Sequence, residues 1–330
     1  MARILSRTDV QHCLTMSEAI DAMRIAFRAL NSGQAQVPQR LAVNLSAEGV
    51  ALLMPSLLQT SEQHTFGLKV ITVMPHNPSQ NMPRSYASVL LLDASTGKTM
   101  AILEGGWLTA MRTGAVSGLA TDLLARQDAN VLALFGAGAQ APTQVLAIHT
   151  VRPLREIRVI NRNDEHYSQL VTTLQKVLGS ACPPISRAAS AREALAGATL
   201  VACATASTAP LFQWSDVTPG THINAIGAFT PEMCEVDPET LAHARIVVDS
   251  REAVMTEAGD LLQALAAQRI QGPESWLELG ELVANAQSVR RSNEEITFFK
   301  SVGVAVQDVA VALQVYKKAS EMGVGIEVEV

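Results

Sequence analysis

Residues 131–141 of the chain read Val131-Leu132-Ala133-Leu134-Phe135-Gly136-Ala137-Gly138-Ala139-Gln140-Ala141. Five apolar residues run into a glycine-rich turn, and apolar residues at helical spacing follow, which predicts a buried strand, a tight turn and the start of a helix. The turn has the form G-x-G-x-x-A, in which the glycines let the backbone turn sharply and approach a pyrophosphate. The stretch therefore predicts a dinucleotide site, although such glycine turns also occur in other α/β proteins.

The composition is that of a globular protein. The 330 residues are 48% hydrophobic and 17% charged, which is enough for two domains with an ample core. The formal net charge of −6, without any Lys/Arg-rich run, argues against nucleic acid as a partner. The four cysteines are scattered, and neither a signal peptide nor a membrane-length apolar run is visible. We therefore expect a cytoplasmic protein that is not bound to a membrane.

The order of strand and helix patterns predicts two kinds of architecture. From the glycine turn onward strands and helices alternate, which is typical of a parallel sheet with right-handed crossovers. Before it, a helix over residues 8–32 and several strands between residues 37 and 103 indicate a mostly antiparallel α+β region. We expect an α/β protein with a Rossmann-type parallel sheet domain and a second, α+β domain. The last helical pattern, at residues 304–319, could return to the first domain.

The strand after the glycine turn carries a second cofactor signal. In NAD-binding folds an Asp or Glu near this point holds the ribose 2′-hydroxyl. Here the strand ends in Asn161 and Arg162, and a guanidinium at that place suits a 2′-phosphate. The sequence therefore favours NADPH over NADH. An exposed arginine without a role remains the alternative, and Asp164 leaves the use of NADH open.

Three basic residues stand isolated among apolar ones: Arg40, Lys69 and Arg112. A buried cation is costly unless something pairs with it, and three cations brought together would suit a substrate carboxylate. Each of them alone could equally be a solvated or ion-paired residue. Glu257 is a further candidate acid, for which a helix-capping role is the alternative. The histidines and cysteines show no metal-ligand spacing, so we expect no metal.

Several motifs in a fixed order resemble the ornithine cyclodeaminase/μ-crystallin family over nearly the whole chain. The most specific is Leu-Thr-Ala-Met-Arg-Thr-Gly-Ala-Val-Ser at residues 108–117, followed by the glycine turn. Gly67-x-Lys69, the segment 257–260, and the segment 299–303 with Asp308 support it. The resemblance implies a homodimer. It also implies a substrate-binding and dimerisation domain of residues 1–118 with 304–330, and a Rossmann dinucleotide-binding domain of residues 119–303.

The resemblance also implies roles for individual residues. Arg40 and Arg112 would hold the substrate carboxylate, with Lys69 facing the substrate. Arg84 and Ser85 lie where family members also touch the cofactor, but Arg84 is not the usual small residue. The residues implied for the cofactor are Arg84, Ser85, Arg112, Thr113, Gly136, Gly138, Ala139, Gln140, Asn161, Arg162, Thr205, Ser207, Ile226 and Ser301.

One position separates the activities within the family. Ornithine cyclodeaminases carry an Asp shortly after the glycine of the strand at residues 223–227, where this chain has Phe229. A phenyl ring can neither accept a proton nor anchor an amine. Residues 227–231 look instead like the bacterial NAD(P)H-dependent reductases of Δ1-pyrroline-2-carboxylate and Δ1-piperideine-2-carboxylate, cyclic imino acids that they convert to L-proline and L-pipecolate. Thr230 or Glu232 could replace the Asp after a loop shift.

Cyclic ketimine reduction is therefore the leading hypothesis, with both ring sizes open. The alternatives are an ornithine cyclodeaminase with tightly held NAD, which would release ammonia while forming L-proline, and a μ-crystallin-like ligand binder without catalysis. The presence of all three basic residues favours catalysis over binding alone.

Overall fold

The computed structural model describes residues 1–61, 64–285 and 290–329. The chain divides into two compact units, Met1–Arg112 with Val304–Val330, and Thr113–Gly303. The boundary lies between Arg112 and Thr113, not at residues 118–119. The role of the first unit in substrate binding and dimerisation stays a prediction.

The strands are β1 Ala2–Leu5, β2 Ala35–Gln36, β3 Leu41–Asn44, β4 Val50–Gln59, β5 His64–Val73, β6 Ser85–Asp93, β7 Thr99–Glu104, β8 Val131–Phe135, β9 Glu156–Ile160, β10 Ile185–Arg187, β11 Leu200–Cys203, β12 His222–Ala225, β13 Ala244–Val248, β14 Leu277–Glu278, β15 Ile296–Lys300 and β16 Ile326–Val328. The α-helices are α1 Arg7–His12, α2 Met16–Asn31, α3 Gly105–Leu124, α4 Ala141–Val151, α5 Asp164–Leu178, α6 Ala191–Leu195, α7 Pro238–Ala242, α8 Arg251–Glu257, α9 Gly259–Ala266, α10 Leu279–Asn285 and α11 Ala305–Met322.

The first unit is built on one sheet of eight strands in the order β16-β1-β7-β6-β5-β4-β2, with β3 also paired to β4. All of these pairs are antiparallel except β1 with β7, which confirms the expected α+β character. The helix expected over residues 8–32 is in fact two helices. Each helix has its own capping box, Ser6 with Asp9 and Thr15 with Glu18. The sequence thus contains two helix N-termini where one was expected.

Helix α11 lies close against β5 because Gly67 has no side chain. A Cβ atom at Gly67 would stand 2.4 Å from Cγ2 of Val309, which is far inside van der Waals contact. Lys69 follows two residues later in the strand and therefore points to the same face of the sheet as Gly67. The close approach thus brings α11 over Lys69.

The opposite face of this sheet is apolar and exposed. Cross-strand partners share a face: Ile4, Ile102 and Ile326 are in register, and so are Leu41, Leu53 and Val70. By the alternation of the strands this is the face away from Lys69. The exposed apolar side chains on it are Ile4, Leu41, Val43, Val70, Tyr86, Ile102 and Ile326.

The second unit is a parallel sheet in the order β10-β9-β8-β11-β12-β15-β13-β14. The chain runs outward from β8 to β10 and then returns to the other side of β8 with β11, so the strand order reverses between β8 and β11. Apolar clusters cover both faces. This confirms the predicted Rossmann-type domain, in which ligands bind at the carboxyl ends of the strands beside such a switch point. None of the helices in the described residues is long and apolar enough to cross a membrane.

Candidate active site

A buried ion pair joins β5 to α11 in the first unit. Nζ of Lys69 lies 2.8 Å from Oδ2 of Asp308, and both side chains are only 1% exposed. Gly67 lets the helix approach, and Asp308 in its first turn then faces the strand. An ammonium group buried at this depth needs such a carboxylate, because removing one partner of a buried pair costs about 3–5 kcal/mol.

Arg112 is the second cation at this carboxylate. Its Nε donates to Oδ1 of Asp308 at 3.1 Å, and its Nη1 donates to Oε1 of Gln307 at 2.6 Å. The two bonds fix the plane of the guanidinium. The structure therefore brings together two of the three predicted basic residues around one carboxylate. The sequence did not predict the contacts of Asp308 and Gln307 in this site.

The environment of Lys69 makes it a weaker base than a surface lysine. Its pKa is lowered from 10.5 to about 8, chiefly by burial and also by the charges of Arg112 and Arg40, while Asp308 raises it. Arg40, the third predicted residue, is therefore near enough for its charge to act on Lys69. Lysines in this pKa range exchange protons near neutral pH, as general acid–base catalysis requires.

Arg84 and Ser85 lie at the start of β6, where both are exposed. The backbone carbonyl of Arg84 accepts from the N–H of Met74 at 2.8 Å. No described contact joins either residue to Lys69 or Asp308, and their proposed contact with a cofactor stays a prediction.

The glycine turn in the second unit has the geometry of a phosphate cradle. Gly136 has φ = 96°, and a Cβ atom there would lie 2.6 Å from the carbonyl oxygen of Ala204. At Gly138 a Cβ atom would meet nothing within 4 Å, so the backbone faces open space. Gln140 precedes α4, and its buried Oε1 has no hydrogen-bond partner among the described residues. Bare backbone, open space and the N–H groups at the start of α4 fit the pyrophosphate of a dinucleotide.

Asn161 and Arg162 follow β9 at the same edge of the sheet. Nδ2 of Asn161 donates to the carbonyl oxygen of Asn163 at 2.6 Å, and the side chain of Arg162 is exposed. Thr113 lies at the start of this unit, where its carbonyl oxygen accepts from Nε2 of Gln144 in α4 at 3.0 Å. Ile226 is buried just after β12 and donates its N–H to the carbonyl oxygen of Cys203 at 3.0 Å.

A buried glutamate fixes two of the loops that carry predicted residues. Oε1 of Glu235 accepts from the N–H and the hydroxyl of Thr205 at 2.7 and 2.8 Å, after β11. Its Oε2 accepts from the N–H groups of Gly227 and Ala228 at 2.7 and 3.1 Å, after β12. Ser207 is held in turn, since its N–H donates to the Thr205 hydroxyl at 3.2 Å. Burial raises the pKa of Glu235, and these four hydrogen bonds stabilise its charged form.

Two further buried acids support the same edge. Oδ2 of Asp249 accepts from the Ser301 hydroxyl at 2.7 Å and from the N–H groups of Val302 and Gly303 at 3.0 and 2.8 Å. Asp260 accepts at Oδ1 from the N–H of Glu235 at 2.6 Å and pairs at Oδ2 with Nζ of Lys300 at 2.6 Å. These acids were not recognised as site-supporting residues from the sequence, where only their apolar surroundings could have indicated a buried carboxylate.

The segment 257–260 supports the loop that carries Phe229. A Cβ atom at Gly259 would lie 2.0 Å from the carbonyl oxygen of Met233 and 2.6 Å from that of Thr230, so the loop rests directly on α9. Phe229 is 45% exposed on this loop. Glu257, the candidate acid, is the last residue of α8, and Asp260 is the buried acid of the motif.

Replacing Glu235 by Gln tests the role of its carboxylate. An amide NH2 group would meet backbone donors on one side, so we expect Glu235→Gln to lower the free energy of unfolding by about 2–4 kcal/mol. Glu252→Gln, at an exposed position of α8, is the control and should change it by less than about 0.5 kcal/mol. Urea denaturation of both variants measures the difference. Equal stability of the two variants would contradict the assigned role.

Comparison with known proteins agrees with this geometry. The model of the ornithine cyclodeaminase/mu-crystallin family matches residues 2–323. A Delta(1)-pyrroline-2-carboxylate reductase of Bacillus cereus is 35% identical over 328 residues, 99% of each chain. The structure of the Thermococcus litoralis Delta(1)-pyrroline-2-carboxylate reductase in complex with NADH and L-proline superposes with a TM-score of 0.92 at 38% identity, covering 99% of this chain and 100% of that one.

An archaeal alanine dehydrogenase dimer with bound NAD has a TM-score of 0.90 at 33% identity and 99% coverage of both chains. The family match spans both units, including the buried Lys69–Asp308 pair and the glycine turn. The chain belongs to the ornithine cyclodeaminase/mu-crystallin family.

Proposed function

We propose that the protein is an NAD(P)H-dependent reductase of cyclic ketimines, which converts Δ1-pyrroline-2-carboxylate to L-proline and Δ1-piperideine-2-carboxylate to L-pipecolate. The buried Lys69–Asp308–Arg112 cluster carries this proposal, because it offers a proton donor beside a carboxylate-binding cation. The Bacillus and Thermococcus reductases support the substrate class. Phe229 stands where a cyclodeaminase would need an acid.

Arg112 and Arg40 bind the substrate carboxylate. The Nε and Nη1 atoms of Arg112 are held by Asp308 and Gln307, so its Nη2 atom is the donor we assign to the substrate. Two arginines fix the direction of the carboxylate and thereby the position of C2, the carbon beside it. This orientation lowers the entropic part of the barrier.

Lys69 supplies the proton, directly or through a water molecule. As a hydride adds to C2, the electron pair of the C=N bond moves to nitrogen, so the nitrogen must carry a proton for C2 to be electrophilic. The lowered pKa of Lys69 makes its ammonium group a better acid than that of a surface lysine, while Asp308 keeps it protonated at neutral pH. One hydride and one proton convert the imine to the secondary amine.

When bound, the reduced nicotinamide supplies that hydride. We assign its pyrophosphate to the turn from Gly136 through Gly138 and Ala139 to Gln140, and we propose NADPH as the preferred form because Arg162 and Asn161 suit a 2′-phosphate. NADH remains usable, as the Thermococcus complex holds NADH. The further residues of the proposed cofactor site are Arg84, Ser85, Arg112, Thr113, Thr205, Ser207, Ile226 and Ser301.

We also propose that the protein is a homodimer and acts in the cytoplasm. The exposed apolar face of the first sheet, which includes Leu41, Tyr86 and Ile326, is the surface we assign to a second copy. The alanine dehydrogenase dimer supports this assembly. The four free cysteines suit a reducing compartment.

A direct assay tests the activity. We expect oxidation of NADPH, and more slowly of NADH, with Δ1-pyrroline-2-carboxylate and with Δ1-piperideine-2-carboxylate, followed by absorbance of the reduced nicotinamide. L-Ornithine without added reductant is the control and should release no ammonia. Ammonia release would favour a cyclodeaminase, and absence of turnover with both imino acids would favour a ligand binder.

Replacing Lys69 by Met tests the proton donor. Met fills a similar volume without the charge, so Lys69→Met should lower kcat for imine reduction by about 10²–10⁴-fold while the Kd of the cofactor stays within about twofold. The exposed Lys98→Met is the control for loss of a lysine. Turnover like that of the wild type in Lys69→Met would remove Lys69 from the mechanism.

The pKa of Lys69 also predicts a pH dependence. Its folded-state pKa of about 8 means that Lys69 loses its proton as pH rises through this value, so kcat/KM for reduction should fall above about pH 8. Asp308 raises that pKa, and Asp308→Asn should therefore move the alkaline limb to lower pH by about one unit or more. The exposed Asp21→Asn should leave the limb in place. If the alkaline side of the kcat/KM profile does not move in Asp308→Asn, the group that titrates there is the substrate and not Lys69.

A further inference from the structure

Arg187 brings another cation to the edge of the sheet where Asn161 and Arg162 lie. It ends β10, which pairs in parallel with β9, and it is in register with Val159. Because the carboxyl ends of parallel strands meet at one edge, Arg187 arrives beside the residues that follow β9. Its Nη2 donates to the carbonyl oxygen of Asn161 at 2.8 Å.

Two more contacts hold the Arg187 guanidinium. Its Nη1 pairs with the carboxylate of Asp164, the first residue of α5. Its central carbon lies 5.8 Å from the centre of the Tyr167 ring. The carbonyl and the ring can hold the guanidinium while it binds an anion, so it loses little further freedom, which favours binding.

The ion pair with Asp164 can be exchanged. The Asp164 side chain is 85% exposed and that of Arg187 is 39% exposed, so water and salt screen the attraction between them. A phosphate monoester carries between one and two negative charges near neutral pH and accepts two parallel N–H bonds from an arginine. It is therefore the stronger partner for Arg187.

We propose that Arg187 is a second arginine ligand of the NADPH 2′-phosphate, and that the phosphate displaces Asp164 when it binds. This inference rests on the proposed function, in which the adenosine ribose lies beside Asn161 and Arg162. NADH has a hydroxyl group in place of the phosphate, so with NADH the pair between Arg187 and Asp164 stays intact. Arg187 thus favours NADPH over NADH, and Asp164 limits this preference by competing with the phosphate for Arg187.

The test measures binding without turnover. The Kd values of NADPH and NADH are determined by calorimetry for the full chain and for Arg187→Ala, Asp164→Asn and Arg126→Ala. Arg126 also forms a partly exposed ion pair, with Asp128, but it precedes β8 and so lies at the opposite edge of the sheet. It controls for the loss of one charge and one ion pair.

We expect Arg187→Ala to raise the Kd of NADPH about tenfold and that of NADH less than about twofold. Asp164→Asn should lower the Kd of NADPH by about two- to fivefold, since it removes the competing carboxylate. Arg126→Ala should change neither.

The outcomes separate this inference from the proposed function. If Arg187→Ala changes both Kd values alike or changes neither, Arg187 does not bind the 2′-phosphate, while binding of either cofactor by the wild type leaves the proposed function standing. If the wild type binds neither cofactor, both proposals fall. The inference is supported if the ratio of the NADPH Kd to the NADH Kd rises in Arg187→Ala and falls in Asp164→Asn. A merely structural effect would change the Kd values of both cofactors together.

Discussion

The carboxylate of Asp308 is the group on which the first unit depends. It faces Lys69 and Arg112 at once, so the buried cluster holds two positive charges and one negative charge. Such an excess of charge is unfavourable in a protein interior and becomes favourable when an anion enters. The cluster is thus incomplete by one negative charge, which a substrate carboxylate would supply.

The second unit also depends on buried carboxylates, which here accept hydrogen bonds from the backbone. Three buried acids, Glu235, Asp249 and Asp260, accept mainly from main-chain N–H groups in the loops that follow β11, β12 and β15 and in the segment at residues 235–236. A charged acceptor in a low-dielectric interior makes shorter and stronger hydrogen bonds than a neutral one. The loops at this edge of the sheet are therefore held in place by buried acids before a ligand binds.

The sequence revealed the parts of this structure that depend on local patterns. The glycine turn, the parallel sheet and the antiparallel first sheet all follow from hydrophobic spacing and turn residues near each other in the chain. The partnership of Asp308 with Arg112 could not be derived in this way, because 196 residues separate the two. In the sequence, an Asp in the first turn of an apolar helix is equally well explained by its favourable interaction with the helix dipole. Arg187 was missed because β10 has only three residues and little pattern.

The order of the elements along the chain has a consequence for biosynthesis. Lys69 and Arg112 leave the ribosome before the whole second unit, and Asp308 leaves it afterwards. Until helix α11 emerges, the nascent first sheet carries two cations and the face around Gly67 without the helix that covers them, a state that exposes it to misassembly. The second unit, continuous in sequence, can meanwhile fold as it is made. Docking of α11 is then the step that brings one carboxylate to the two cations and closes the first unit.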